Sequence, residues 1–165
     1  MPAADEIEIR SADFSIGQEY SALLARAEGS GACVLFTGLV RSEGGANPVT
    51  AMELEHYPGM TEQSIAAIVA TARQRWRLDA VRVIHRVGHL EPGEQIVLVG
   101  VASAHRGEAF AACEFIMDYL KTNAPIWKKE IGTAGARWVE RRERDDAAAS
   151  RWSDNTAGKE EGGGA

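Results

Sequence analysis

The chain has 165 residues, 45% hydrophobic and 25% charged, which suits one soluble domain with its own core and leaves little room for a second. Eighteen Lys+Arg against 24 Asp+Glu give a net charge of −6, which excludes duplex nucleic acid as the main partner but allows a local basic pocket for a small anion. No apolar run reaches the roughly 20 residues that span a bilayer. The acidic start MPAADEIEIR lacks the basic and apolar regions of a signal peptide, so a cytoplasmic protein is expected.

Residues 6–10 alternate, with Ile7 and Ile9 on one face, and predict a first strand. Ser15 to Gln18 has capping-box spacing and opens a helix through Leu23, Leu24 and Ala27, stopped by Gly29-Ser30-Gly31. Residues 32–40 form a continuous apolar run, read as a buried strand, and Gly44, Gly45 and Pro48 mark a loop. Residues 50–56 alternate again, with Met52, Leu54 and His56 on one side, until Pro58-Gly59. Thr61 is placed to cap a helix whose apolar positions are Ile65, Ile68, Val69, Ala72 and Trp76.

Val81, Val83, His85 and Val87 form one face of the next strand; Glu91 to Glu94 turn the chain, and residues 96–102 are a second buried strand. A third helix is expected from about Ala104 to Asn123, with Ala109, Phe110, Cys113, Ile116, Met117 and Leu120 on one face, and Pro125 forbids its continuation. Residues 126–131 and 136–140 read as a last pair of short strands. The chain then turns charged and alanine-rich. Residues 153–165, SDNTAGKEEGGGA, have nothing apolar to bury and are expected to be a disordered tail beyond a single domain of residues 1–152. The pattern is α+β: a mixed, mainly antiparallel sheet with three packed helices.

Four places carry cations that a solvated surface explains incompletely. Arg41 ends a buried strand just before a glycine loop, a common ligand position, although a plain surface role fits it equally. His105 and Arg106 stand at a strand-to-helix junction, where free N–H groups and the positive end of the helix dipole favour an anion and an arginine has little structural reason to be. Lys121 lies one turn after Met117, so it extends the apolar face of its helix, and Lys128 follows Ile126-Trp127. A lysine presented from an apolar face suits proton transfer, and it also fits a side chain snorkelling at a helix end.

Competing chemistries find no support in the residues. His56, His85 and His89 lack metal-ligand spacing, and His85 reads as a hydrogen-bonded core residue. Cys33 and Cys113 are isolated in apolar stretches, as small core residues are. No nucleophile elbow, phosphate loop or dinucleotide fingerprint occurs.

Several stretches, in order, closely resemble one family. They are FTGLVR (36–41), LEHYPGM (54–60), VIHRVG (83–88), PGE (92–94), SAHR (103–106), FIMDYLKTNAPIWKKE (115–130) and RWVE (137–140). The chain is similar through them to the large, catalytic subunit of molybdopterin synthase, over about residues 5–152. The resemblance implies that family's fold and a sulfurtransferase of molybdenum cofactor biosynthesis. Such an enzyme converts cyclic pyranopterin monophosphate into molybdopterin by installing two dithiolene sulfurs. The sulfur would arrive as a thiocarboxylate on the C-terminal Gly-Gly of a small ubiquitin-like partner subunit, within a heterotetramer built on a homodimer. No metal, redox cofactor or nucleophilic cysteine would then be needed on this chain.

Carried over by motif, Lys121 and Lys128 match the two catalytic lysines. Arg41, His105 and Arg106 match residues for the substrate's anionic end, with Leu39 and Val40 beside them. Lys129 and Glu130 continue the binding segment, and Arg142 matches a further basic residue. Ile126 stands where an aromatic residue is expected in many relatives. A non-catalytic module that docks a Gly-Gly tail is the alternative reading, and the paired lysines and the SAHR site would then be superfluous.

Overall fold

The computed structural model describes residues 6–42, 48–139 and 143–153. In chain order these form β1 (Glu6–Arg10), α1 (Ile16–Ala25), β2 (Ala32–Leu39), β3 (Val49–His56), α2 (Met60–Arg75) and β4 (Ala80–Arg86). There follow β5 (Gly88–Leu90), β6 (Gln95–Ser103), α3 (Arg106–Asn123), β7 (Ile126–Gly132), β8 (Gly135–Val139) and α4 (Glu143–Ser150).

The α+β class holds, but the strands divide between two four-stranded sheets where one was expected. The first has the order β1-β4-β6-β2 and the second β5-β3-β7-β8. Only β1 and β4 run parallel; the other pairs are antiparallel. The division has a local cause. The expected strand through Val87 ends at Arg86, and Gly88, at φ 90°, turns the chain out of the first sheet so that β5 pairs with β3.

The first sheet carries helices on both faces. Val81, Val83, Val97, Val99 and Val101 meet Ile65, Val69, Phe115 and Ile116 of α2 and α3 on one side. Leu23 and Ala27 meet Ala80 and Ala102 on the other. Each such large apolar side chain contributes about 1.5–3 kcal/mol by leaving water. Gly100 lets α1 approach, since a Cβ there would lie 2.8 Å from Leu23 Cδ2. The second sheet has a smaller core of Val40, Leu54, Leu90 and Ile96.

One helix start and one whole helix differ from expectation. α2 starts at Met60, with Gly59 at φ 85° as its N-cap and the Glu62 carboxylate accepting the Gly59 N–H at 2.6 Å. Thr61 lies inside the first turn, where its hydroxyl ties two segments together instead of capping. The fourth helix, α4, was not expected, because its sequence has no apolar stripe. The two residues just beyond its C-terminal end anchor it: Trp152 packs edge-on against Trp76 and Phe115, and Arg151 pairs with Glu114 and Asp118 on α3. Of the expected tail, residues 154–165 lie outside the described residues.

Candidate active site

The site is built where α3 stops. Pro125 cannot continue the helix, the Ile126 N–H donates to the Ala124 carbonyl at 2.8 Å, and the chain runs directly into β7. Thr61 fixes this corner: its Oγ1 donates to the Pro125 carbonyl at 2.9 Å and accepts the Tyr57 N–H at 3.0 Å. The last turn of α3 and the first residues of β7 therefore face one another across a cavity of about 750 Å³. Lys121 enters it from α3 and Lys128 from β7. Leu39 and Arg41 enter from the end of β2, and Met117, Leu120, Ile96 and Val97 supply apolar wall.

Leu39, Arg41, Lys121, Lys128 and Glu130 thus share one cavity, although they are spread over 92 positions from 39 to 130. Glu130 also accepts from Arg137 at 3.1 Å. Val40 points away: its side chain is buried in the small core, and its backbone is bonded to Gly93 and Glu94. Lys129 falls on the other face of β7, its ammonium 5.6 Å from the centre of the Trp138 ring. His105 is the N-cap of α3 and Arg106 its first residue, both exposed. Because α3 is unbroken from Arg106 to Asn123, Arg106 and Lys121 stand roughly 23 Å apart along its axis. Within one chain these two clusters do not meet. Arg142 lies outside the described residues.

His85 is hydrogen-bonded in the core as expected, with Nδ1 2.8 Å from the Arg86 carbonyl oxygen. It also lines the cavity, which the sequence reading missed. A signal was present: the face Val81-Val83-His85-Val87 is interrupted by an imidazole where a closed core would carry another aliphatic residue. Burial pushes its pKa down to about 4, and the positive charges of Lys128 and Lys121 act in the same direction. Asp145, from α4, is a further lining residue that no motif indicated, and Trp138, from β8, lines the cavity from within the RWVE stretch without having been read as a site residue.

Both cysteines are free. Burial raises the Cys33 thiol and pushes Cys113 up to about 12, so both keep their protons and make poor nucleophiles. Among the described residues no group of three or more His, Cys, Asp or Glu side chains is placed to hold a metal ion.

The family described as MoaE protein matches residues 9–123, which takes in Arg41, His105, Arg106 and Lys121. The chain belongs to that family. It is 58% identical over 146 residues to the molybdopterin synthase catalytic subunit of Salmonella typhimurium, covering 88% of this chain and 97% of that one. It is 55% identical over 150 residues to the Escherichia coli subunit of the same name, covering 91% and 99%. Among solved structures, the molybdopterin biosynthesis MoaE protein from Burkholderia ambifaria superposes with a TM-score of 0.79 at 50% identity, covering 91% of this chain and 99% of that one. These pairwise matches run past residue 123 and so reach the β7 segment that carries Lys128. At such identity and coverage the activity carries over: the chain is an enzyme, a sulfurtransferase acting as the catalytic subunit of a molybdopterin synthase in molybdenum cofactor biosynthesis.

Proposed function

We propose that the cavity between α3 and β7 is where sulfur is transferred to cyclic pyranopterin monophosphate, with Lys121 and Lys128 as the catalytic residues. The observation that carries this reading is the meeting of Lys121, Lys128 and Arg41 in one partly apolar cavity. The precursor bears a phosphate and the sulfur donor is a thiocarboxylate. Both are anions, and fixed ammonium and guanidinium groups attract them more strongly where water is scarce. The thiocarboxylate sulfur bonds to a carbon of the pterin side chain as that carbon's bond to an oxygen substituent breaks, the oxygen leaving with the electron pair and taking up a proton. Water then opens the acyl–sulfur bond, leaving sulfur on the pterin and an ordinary carboxylate on the donor. One lysine stabilises the negative charge that develops at the acyl centre, and the other handles protons at the pterin.

The donor is a small ubiquitin-like subunit whose C-terminal Gly-Gly tail enters the cavity. The exposed Trp127 and Trp138 at its rim give that tail and its domain an apolar landing surface. Two protonated thiols on this chain agree with sulfur carried by the partner. His105 and Arg106 reach the phosphate from the neighbouring subunit of a homodimer, because α3 is too long and too straight to bring them to Lys121 in its own chain. Leu39 and Glu130 line the cavity beside its cations, Val40 and Lys129 support its walls from positions that face away from it, and Arg142 adds a further positive charge. A small subunit at each end completes a heterotetramer. A cytoplasmic setting goes with the two free thiols.

The test is to mix the chain with cyclic pyranopterin monophosphate and the thiocarboxylated small subunit and to look for a dithiolene-bearing pterin. Tail docking without any dithiolene product would favour a non-catalytic docking module instead.

A further inference from the structure

β4 carries Val81, Val83 and His85 on the face that packs beneath α2 and α3. The two valines close the core. His85 comes where the core opens into the cavity, opposite Val97 of β6 and near Met117. Only 7% of the residue is exposed, so the ring is held rather than mobile.

Its orientation is fixed by the Nδ1 contact of 2.8 Å with the Arg86 carbonyl. A carbonyl oxygen only accepts, so Nδ1 carries the hydrogen and Nε2 keeps a lone pair. Nε2 makes no hydrogen bond among the described residues, yet it is not one of their sealed side-chain polar atoms that lack a hydrogen bond. The lone pair therefore opens on the cavity.

That makes His85 unlike the charged side chains of the wall, and unlike the Thr122 hydroxyl, which already donates to the Asp118 and Tyr119 carbonyls. Arg41, Lys121 and Lys128 only donate, which suits a phosphate and a thiocarboxylate and leaves the N–H donors of a pterin ring unmatched. Of the carboxylates on the lining, Glu130 is paired with Arg137, and the charge of Asp145 would repel a phosphate. An uncharged acceptor has neither drawback. Burial keeps this one uncharged across the working pH range.

Resting on the reading of this cavity as the pterin site, we propose that His85 orients the substrate: its Nε2 accepts a hydrogen bond from an N–H of the pterin ring. The cations hold the anionic ends, and the imidazole sets which edge of the ring faces the sulfur donor. The residue touches substrate and exchanges no proton with it.

The test is anaerobic equilibrium binding of cyclic pyranopterin monophosphate, and separately of inorganic phosphate, to the full chain. His85→Leu should weaken pterin binding by about tenfold, the worth of one hydrogen bond with a partner left unmet, and leave phosphate binding unchanged. His85→Gln, whose amide oxygen is again an acceptor, should recover part of the loss. Unchanged pterin affinity in His85→Leu would overturn the proposal. So would an equal loss of phosphate binding, which would show His85 acting through the lysines. Should these variants fail to fold, nitrogen NMR of the histidine-labelled native chain decides, with signals assigned by replacing His56, His89 and His105 in turn. The His85 Nε2 resonance should move with pterin and stay with phosphate; an unmoved resonance in the pterin complex removes the proposal. A native chain that binds no pterin would remove the cavity reading as well, whereas pterin binding indifferent to His85 removes this inference alone.

Discussion

In the first sheet every residue of β4 and eight of the nine in β6 are buried, whereas β7 and β8 of the second sheet bury none. The first sheet is covered by helices on both faces, and its charged members are paired: Arg82 with Glu8 and Glu19, Arg86 with Glu94. The second leaves Trp127 and Trp138 about half exposed and aims Lys128 into the cavity. Stability is thus concentrated in one sheet and recognition in the other. The cavity lies along their seam and draws groups from both, with Lys121 on a core helix facing Lys128 on an open strand. Substitutions should therefore separate into those that unfold and those that disarm.

The largest effect expected is chemical. Lys121→Ala and Lys128→Ala should each lower product formation by about 10²–10⁴-fold, the range for removing a proton-transfer or charge-stabilising group. Because Lys121 is exposed and Lys128 only partly buried, chemical denaturation should place both variants within about 1 kcal/mol of the native chain. Near-normal turnover of either at saturating substrate would remove that lysine from catalysis.

Phe115→Ala should do the reverse. Phe115 is 1% exposed and packs against Trp76, Tyr119 and Trp152. Its truncation should cost about 3–5 kcal/mol in a denaturation curve while turnover per folded molecule stays close to native.

His85 sharpens the comparison because it belongs to both regions. Its folded pKa of about 4 lies below the ordinary 6.5, under the influence of burial first and then of Lys128 on β7, Lys121 on α3 and His56 on β3. Above pH 6.5 both folded and unfolded chains leave it neutral, and its contribution is complete. Between those values the unfolded chain takes up a proton that the folded chain refuses, so stability falls as pH falls, by about 3 kcal/mol in total. Unfolding free energies measured from pH 7 to pH 4 should show this slope in the native chain and lose that part of it in His85→Gln.

Smaller still is the effect of removing both thiols. Cys33→Ser with Cys113→Ser should keep sulfur transfer and lose about 1–3 kcal/mol of stability from hydroxyls placed in apolar surroundings. A folded double variant with no transfer would indicate a persulfide on this chain.

Much of the first sheet was legible because long apolar or alternating runs decide such strands locally; residues 32–40 and 96–102 became β2 and β6 within a residue or so. Only β6 is buried as expected, since β2 lies at the sheet edge and buries none of its residues. The motifs likewise led to Lys121, Lys128 and Arg41, which the fold gathers into one cavity. What escaped depends on distant partners. β5 has three residues and no period of its own, and it exists because Gly88 turns it against β3. α4 lacks an amphipathic stripe and is held by Arg151 and Trp152 beyond its end. His85 read as core from its strand face, and only the end of α3 above it makes that face the floor of a cavity. Lys129 shows the converse, since strand alternation alone turns it away from its neighbour Lys128.

Subunit complementation tests most directly the claim that one active site draws on both ends of α3 from two chains. Lys121→Ala dimers and His105→Ala/Arg106→Ala dimers, each inactive alone, are mixed and allowed to exchange subunits. Each mixed dimer would hold one intact pocket and one doubly damaged pocket, so an equal mixture should recover about a quarter of native activity. No recovery, with exchange proven by mass, would place the whole site within one chain and contradict the shared pocket.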